Sequence, residues 1–145
     1  VYDGFFCTES HYTVSTAIIA AKPHTQWIKD LMDEYENISF VKECGVYLPN
    51  TKRVQRYLED NYGYHWSNEI QVYADGLMIL PADYFSPLNC FTGVMKKTMN
   101  TVGMHHYDNT WKSEKEKLKK KAMQVVTRVI GEDNRARLVA MKSKK

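Results

Sequence analysis

The hydrophobic positions in the first part of the chain predict a strand followed by a helix. Residues 15–21 form a short apolar run of the size of a buried strand. Pro23 then stands where a helix can begin, because the missing N–H group of proline costs nothing in a first turn. Apolar residues at helical spacing predict one amphipathic helix that ends near Glu36. The predicted core-facing residues of this helix are Trp27, Ile28, Leu31, Met32 and Tyr35.

The middle of the chain predicts a second helix and three short strands. The loop at residues 48–51 leads into a helix that residues 61–63 end. Its predicted inward-facing residues are Val54, Tyr57 and Leu58. A short strand is expected at 38–41, and two more at 70–73 and 77–80, where Ala-Asp-Gly forms the turn between them.

The pattern predicts a last strand before the basic tail. A hairpin at residues 93–100 is expected to deliver a strand over 101–105. Because side chains alternate along a strand, Val102, Met104 and His106 share one face. If Val102 and Met104 face the core, His106 leaves the strand on the interior side. The whole pattern indicates a mixed α/β fold.

After residue 111 the pattern becomes that of a basic amphipathic C-terminal helix. Ser113 and Glu116 have the spacing of a capping box, and Gly131 is a natural stop. Lysines crowd one side of this helix. Its apolar face is predicted to contain Leu118, Ala122, Val125, Val126 and Val129.

Length and cysteine content narrow the class of protein. The 145 residues suffice for one domain with a hydrophobic core, and they contain no apolar run near the roughly 18 residues of a membrane helix. The three cysteines have no C-x-x-C spacing, which disfavours a disulfide framework or zinc cluster and fits a reducing, cytoplasmic compartment. Because the sequence starts at Val1 without an initiator methionine, we expect it to begin inside a larger protein.

The net charge of +3 is unevenly distributed. Residues 112–145 hold twelve Lys or Arg and four acidic residues, which gives +8 and leaves −5 for residues 1–111. We therefore divide the chain into a body, 1–111, and a basic helical tail, 112–145. A body with a net negative charge is not typical of a nucleic-acid-binding domain. A tail that binds nucleic acid would be expected to have aromatic residues between its lysines. The sequence allows two roles for the tail. It contacts an anionic membrane surface, or its apolar stripe packs on the body.

The candidate chemistry is concentrated in HHYDNTW, residues 105–111. Two histidines, an aspartate and an asparagine lie between aromatic residues, directly before the basic tail. One interpretation is an exposed, polar strand end. The other is that some of these side chains hold a metal ion and the anion that the metal carries.

Four segments in this order resemble the C-terminal half of the catalytic domain of glycosyltransferase family 32, a group of DXD-motif sugar transferases. They are VSTAIIAAKPHTQWIKDLMDEYEN at 14–37, DGLMILPADYFSP at 75–87, NTVGMHHYDNTW at 100–111, and the basic helix behind them. The resemblance implies the C-terminal part of a GT-A fold, the Rossmann-like fold of nucleotide-sugar transferases. It also implies a divalent metal held partly by the DXD carboxylates.

The sequence departs from the family pattern in two places. It contains no D-x-D, and in the family this motif lies shortly before the position at which the present sequence begins. Ser15 and Thr16 stand where family members often carry an asparagine that faces the sugar. The first departure is expected from truncation, and the second leaves donor and acceptor specificity open.

The resemblance also assigns candidate site residues. Sugar transfer leaves negative charge on the departing diphosphate, which a divalent cation stabilises. By similarity to the clostridial toxin glucosyltransferases, His106 and Asn109 are the expected metal ligands, and Trp111 would donate its indole N–H to the diphosphate. Lys112 is expected to contact phosphate, and Glu9 the sugar or the acceptor. The metal is Mn²⁺ or Mg²⁺, with the imidazole ligand favouring Mn²⁺.

The expected function is therefore transfer of a hexose from a nucleotide sugar, with UDP favoured over GDP, to a saccharide or lipid-linked saccharide. The expected location is cytoplasmic, with the tail as a candidate anchor at the inner face of the membrane. His105 is expected to face away from the metal and to support the loop. The alternative is a non-catalytic, degenerate transferase-like binding module with a membrane-associating tail.

Overall fold

The computed structural model describes residues 2–10, 13–36, 49–110 and 112–142. These residues form four strands and four helices in a mixed α/β arrangement, as the sequence predicts. The elements are β1 Gly4–Ser10, β2 Thr13–Ala21, α1 Gln26–Asp33, α2 Asn50–Tyr62, β3 Gln71–Val72, β4 Leu77–Leu80, α3 Glu114–Ile130 and α4 Glu132–Lys142. The strand predicted at 38–41 lies outside the described residues.

The four strands form one mixed sheet in the order β2-β1-β4-β3. β1 is antiparallel to β2 and parallel to β4, with Phe6 opposite Ile79 and Cys7 opposite Leu80. β3 is antiparallel to β4. Because β1 and β4 run in the same direction, their C-terminal ends meet at one edge of the sheet, where the loops that follow them come together.

The hydrophobic core lies between the sheet and the helices α1 and α2. Trp27 of α1 is completely buried, and its ring centroid lies 5.0 Å from that of Phe6 on β1. Leu58 of α2 is buried in the same cluster. The core-facing residues predicted for α2 are confirmed, and Gly63 ends that helix with a φ of 62°.

The apolar face predicted for α1 is too wide. Trp27 and Leu31 are buried, but Met32 is 66% exposed and Tyr35 is also exposed. The helix ends at Asp33 and not near Glu36, and the N–H of Tyr35 donates to the carbonyl oxygen of Met32 in a following turn. Met32 therefore lies beside the buried face of the helix and outside the core.

The strand predicted at 101–105 is not formed, and the condition that Val102 faces the core is not met. Val102 is 75% exposed. The N–H groups of Val102 and Gly103 both donate to the carbonyl oxygen of Tyr84, at 2.9 and 3.1 Å. Because this acceptor lies in the turn after β4 and not in a strand, the segment is extended against a loop and pairs with no strand of the described sheet. The hairpin predicted at 93–100 is replaced by an isolated bridge between Leu88 and Met95.

Helix α3 begins with the predicted capping box, since Ser113 and Glu116 bond each other's backbone N–H groups. Gly131 separates α3 from α4. The side of α3 that meets the rest of the chain has polar groups beside the partly buried Met123 and Ile130. Gln124 donates to the carbonyl oxygen of Cys90 at 3.1 Å, and Arg128 donates to that of Thr92 at 2.6 Å. Hydrogen bonds to a loop therefore attach α3 to the body. None of the helices in the described residues is long and apolar enough to cross a membrane.

Candidate functional site

An open cleft of about 750 Å³ lies at the C-terminal ends of the parallel strands β1 and β4. Thr8 and Glu9 at the end of β1 form one part of its wall, and Ala82 and Asp83 directly after β4 form another. The hydroxyl group of Thr8 lies 3.5 Å from the carbonyl oxygen of Leu80, so the two strand ends are tied together. The cleft is thus built by the edge at which parallel strands of α/β sheets commonly present their ligands.

Glu9 is the acidic residue that the strand end places in the cleft. It is partly buried, and burial raises the pKa of its carboxyl group, while hydrogen bonds from Ser15 and Tyr107 oppose that rise. The hydroxyl group of Tyr107 lies 3.4 Å from Oε2 of Glu9. Burial and the nearby Glu9 carboxylate raise the pKa of Tyr107 above its usual range. Tyr107 therefore stays protonated and acts as a hydrogen-bond donor to Glu9.

Asp83 supports the loops around the cleft. Its carboxylate accepts hydrogen bonds from the Thr98 hydroxyl at 2.7 Å and from the Asn100 amide at 3.3 Å. Its backbone carbonyl accepts a hydrogen bond from the Thr101 hydroxyl at 2.8 Å. These bonds hold the 98–101 segment against the turn that follows β4, and both side-chain bonds use Oδ2 of Asp83.

The opposite wall of the cleft comes from the junction between α3 and α4. Arg128, Gly131 and Glu132 line it, together with Asn89 from the loop below. The Asn89 amide donates to Oε1 of Glu132 at 2.7 Å. Oε2 of Glu132 is buried and has no hydrogen-bond partner among the described residues. The wall therefore presents charged and amide groups, which suit a ligand that is itself rich in hydrogen-bonding groups.

The two histidines of the 105–111 segment are oriented opposite to the prediction. His105 is partly buried, its ring lies 3.9 Å from the ring of Tyr107, and its Nδ1 is buried without a partner among the described residues. Burial lowers the pKa of His105, the carboxylate of Asp108 opposes that shift, and the positive charge of Lys120 contributes to it. His106 is exposed. The alternation of a strand, on which the prediction depended, does not apply because this segment is not a strand.

The turn after the histidines is tight, and it contains the next candidate residue. Tyr107 and Asn109 have φ angles of 54° and 49°. The Asn109 amide donates to the backbone carbonyl of Tyr107, and the Lys112 N–H donates to the carbonyl of Asn109 at 2.9 Å. Lys112 is partly buried, and Trp111 lies outside the described residues. The turn brings Tyr107 to Glu9, whereas His106 remains on the exposed side.

The metal assignment rests on His106 and Asn109. In the ranges 2–10, 13–36, 49–110 and 112–142, no group of three or more His, Cys, Asp or Glu residues could hold a metal ion. The amide nitrogen of Asn109 donates to the backbone carbonyl of Tyr107, so only its amide oxygen could serve as a metal ligand. An exposed imidazole and one amide oxygen fit part of a Mn²⁺ or Mg²⁺ site, which requires further oxygen ligands.

Sequence reasoning missed two residues of the cleft wall and the residue that contacts Glu9. Tyr107 was noted only as an aromatic residue beside the histidines, and Asn89 and Glu132 were not singled out. Asn89 and Glu132 are 43 residues apart, and their contact depends on how α4 docks. The sequence signal for Tyr107 was its position in the candidate segment, but nothing in the sequence pairs it with Glu9.

Searches among protein-family models, curated proteins and solved structures each found no match to this chain.

Proposed function

We propose that this chain is part of a glycosyltransferase that moves a hexose from a nucleotide sugar to a saccharide or lipid-linked saccharide. UDP is favoured as the nucleotide over GDP. The observation that carries the proposal is the cleft at the C-terminal ends of β1 and β4, with Glu9 in its wall and Tyr107 in contact with Glu9. A volume of about 750 Å³ is in the range of small-molecule sites and accommodates a nucleotide-linked or short-chain sugar.

The lining of the cleft supports a polyhydroxylated ligand. Sugar hydroxyl groups both donate and accept hydrogen bonds, and the cleft offers an acceptor on Glu9 and donors on Asn68, Asn89 and Arg128. An ionised Glu9 would accept a hydrogen bond from a sugar hydroxyl, and charge-assisted bonds of this kind are the stronger ones. In this proposal Glu9 orients the sugar, and Tyr107 orients Glu9.

The donor diphosphate would lie on the side of the tight turn. His106 and Asn109 would hold the divalent metal together with carboxylates from outside the described residues. The metal, when bound, stabilises the negative charge that develops on the departing diphosphate. Trp111 and Lys112 would donate hydrogen bonds to that diphosphate. The GT-A identity of the domain and retention of the anomeric configuration belong to this proposal and derive from the family resemblance.

The second candidate is a degenerate, non-catalytic transferase-like module that binds saccharides without transferring them. The absence of D-x-D from these 145 residues favours it. The residues encoded directly upstream of Val1 discriminate between the two candidates. A D-x-D there supports the enzyme, and its absence supports the binding module.

The cellular location is proposed together with the function. A lipid-linked acceptor resides at the membrane surface, so we propose a cytoplasmic protein that works at the inner face of the membrane. Nucleic acid is not among the proposed partners.

The experiment is a donor screen on the product of the complete gene. UDP-hexoses and GDP-hexoses are offered with Mn²⁺ or Mg²⁺, and nucleotide release is measured with and without a chelator. We expect metal-dependent consumption of a UDP-hexose, which His106→Ala lowers far more than His105→Ala does. Consumption of no nucleotide sugar, combined with saccharide binding, would favour the degenerate module.

A further inference from the structure

The side of helix α3 that faces the protein is mixed, with Met123 and Ile130 partly buried beside polar groups, and a separate apolar stripe faces outward, which is unlike an ordinary surface helix. Thr127 is buried against the body, and Gln124 and Arg128 donate to loop carbonyls on the same side. Lys120 also points toward the body. Its Nζ lies 3.4 Å from the carbonyl oxygen of Tyr107 and 5.8 Å from the centre of that ring.

The outward side is a continuous apolar stripe. Leu118, Val125 and Val129 are 69%, 59% and 83% exposed. Their spacing of seven and four residues places them on one line along the helix. The interpretation in which this stripe packs on the body is therefore wrong for the described residues. Exposed apolar side chains that share one line indicate an interaction surface.

Lysines flank the stripe on both sides. At helical spacing Lys115 and Lys119 lie on one side of the line through Leu118, and Lys121 lies on the other. All three are exposed. Within the part of the chain that the structure describes, the ion pair on α3 joins Lys117 to Glu114, and these three lysines form none. Their charges are therefore available to a partner.

We propose that this outward face of α3, defined by Leu118, Val125 and Val129 with the three flanking lysines, docks on the surface of an anionic lipid bilayer. An apolar stripe between lysines suits this partner, since the stripe enters the boundary of the acyl chains while the lysines extend to the lipid phosphates. A second copy packed parallel to this helix would place lysines against lysines, which disfavours that mode of self-association. Glu114 lies near the stripe, but its charge is compensated by Lys117.

The proposal goes beyond sugar transfer and does not depend on it, because docking is measured without a sugar. Co-sedimentation of the chain with phosphatidylcholine vesicles, with and without phosphatidylglycerol, tests it at low and high salt. We expect binding that requires phosphatidylglycerol and fades with salt. Combined Lys115→Gln, Lys119→Gln and Lys121→Gln substitutions are expected to lower the partition coefficient about a hundredfold.

Two further variants make the test specific. Combined Leu118→Ser, Val125→Ser and Val129→Ser substitutions remove the stripe, and since these side chains are exposed we expect an unchanged circular dichroism spectrum with weakened binding. Combined Lys29→Gln, Lys52→Gln and Lys97→Gln substitutions make the same charge change outside α3, and we expect binding close to that of the wild type. Transfer activity is assayed separately, so a failed docking test leaves the transferase proposal standing.

Four results would overturn the proposal. They are equal binding to neutral and anionic vesicles, binding to neither, an equal loss in the two lysine variants, and a dimer in sedimentation velocity that the serine variant abolishes. The last result would show that a second copy covers this face.

Discussion

The hydroxyl group of Tyr107 lies 3.4 Å from Oε2 of Glu9, although the two residues are 98 positions apart in the chain. The contact joins Glu9, at the end of β1 and in the wall of the cleft, to the 105–110 segment. It also explains the position of the tight turn, because Tyr107 reaches Glu9 with a φ of 54°. The segment that the sequence singled out for its histidines is therefore linked to the cleft through its tyrosine.

Burial of Glu9 makes the stability of the protein depend on pH. The pKa of Glu9 lies above its ordinary value of 4.5 in the folded protein, so the folded state holds this proton over a range in which the unfolded chain has lost it. The free energy of unfolding therefore falls as the pH rises from about 4.5 through the raised pKa of the folded state. Glu9→Gln removes this contribution. We expect the stability of Glu9→Gln, relative to the wild type, to increase over the same range in urea denaturation.

Tyr107→Phe tests how the hydrogen bond to Glu9 contributes to this pH dependence of stability. It removes the hydrogen bond that opposes the rise in the pKa of Glu9. In this variant the loss of stability with rising pH should therefore extend to a higher pH than in the wild type. Loss of the bond itself should cost about 1 kcal/mol. If the Tyr107→Phe and wild-type curves coincide at every pH, the contact does not exist in solution.

His105 provides a second pH-dependent contribution, with the opposite sign. Burial lowers its pKa below the ordinary value of 6.5, so the unfolded chain gains a proton at a pH at which the folded protein does not. Stability should therefore fall as the pH drops from about 6.5 through the lowered pKa of the folded state. We expect His105→Phe to lack this contribution. The measurement is the NMR titration of the His105 ring, and a midpoint at or above 6.5 would contradict its burial.

The different burial of two residues of α1 predicts different effects of their substitution on stability. Trp27 is completely buried against Phe6, whereas Met32 is 66% exposed on the same helix. Trp27→Ala should lower the free energy of unfolding by about 3–5 kcal/mol. Met32→Ala should change it by less than about 0.5 kcal/mol. Chemical denaturation of the two variants measures both values, and similar losses would mean that α1 is rotated from the position described.

The sequence pattern predicted the elements in which periodicity and burial agree. β2, α2 and β4 have clear apolar patterns. Gly63 ends α2 and Ser113 caps the start of α3, and both residue types are recognisable in the sequence as helix ends. The same reasoning failed at 101–105, because an extended segment with alternating residues can bond to a loop carbonyl as well as to a strand. Periodicity alone does not distinguish these two cases.

The candidate site was predictable only in part, for a related reason. Glu9 is a predicted contact of the sugar or the acceptor, and the structure places it in the wall of the cleft. The orientations assigned to His105 and His106 depended on a strand that does not form, so they were reversed. The contacts of Tyr107 with Glu9 and of Asn89 with Glu132 join residues far apart in the chain, and they follow from tertiary docking that no local pattern encodes.

The rate of hexose transfer by the product of the complete gene tests directly whether the cleft around Glu9 is the sugar site of a transferase. Glu9→Gln is compared with Glu59→Gln, which makes the same change on an exposed position of α2. Loss of a charge-assisted hydrogen bond to the sugar should lower kcat/KM about ten- to a hundredfold in Glu9→Gln. Glu59→Gln should keep the wild-type value. Equal values of kcat/KM for Glu9→Gln and the wild type would contradict the proposal that Glu9 binds the sugar.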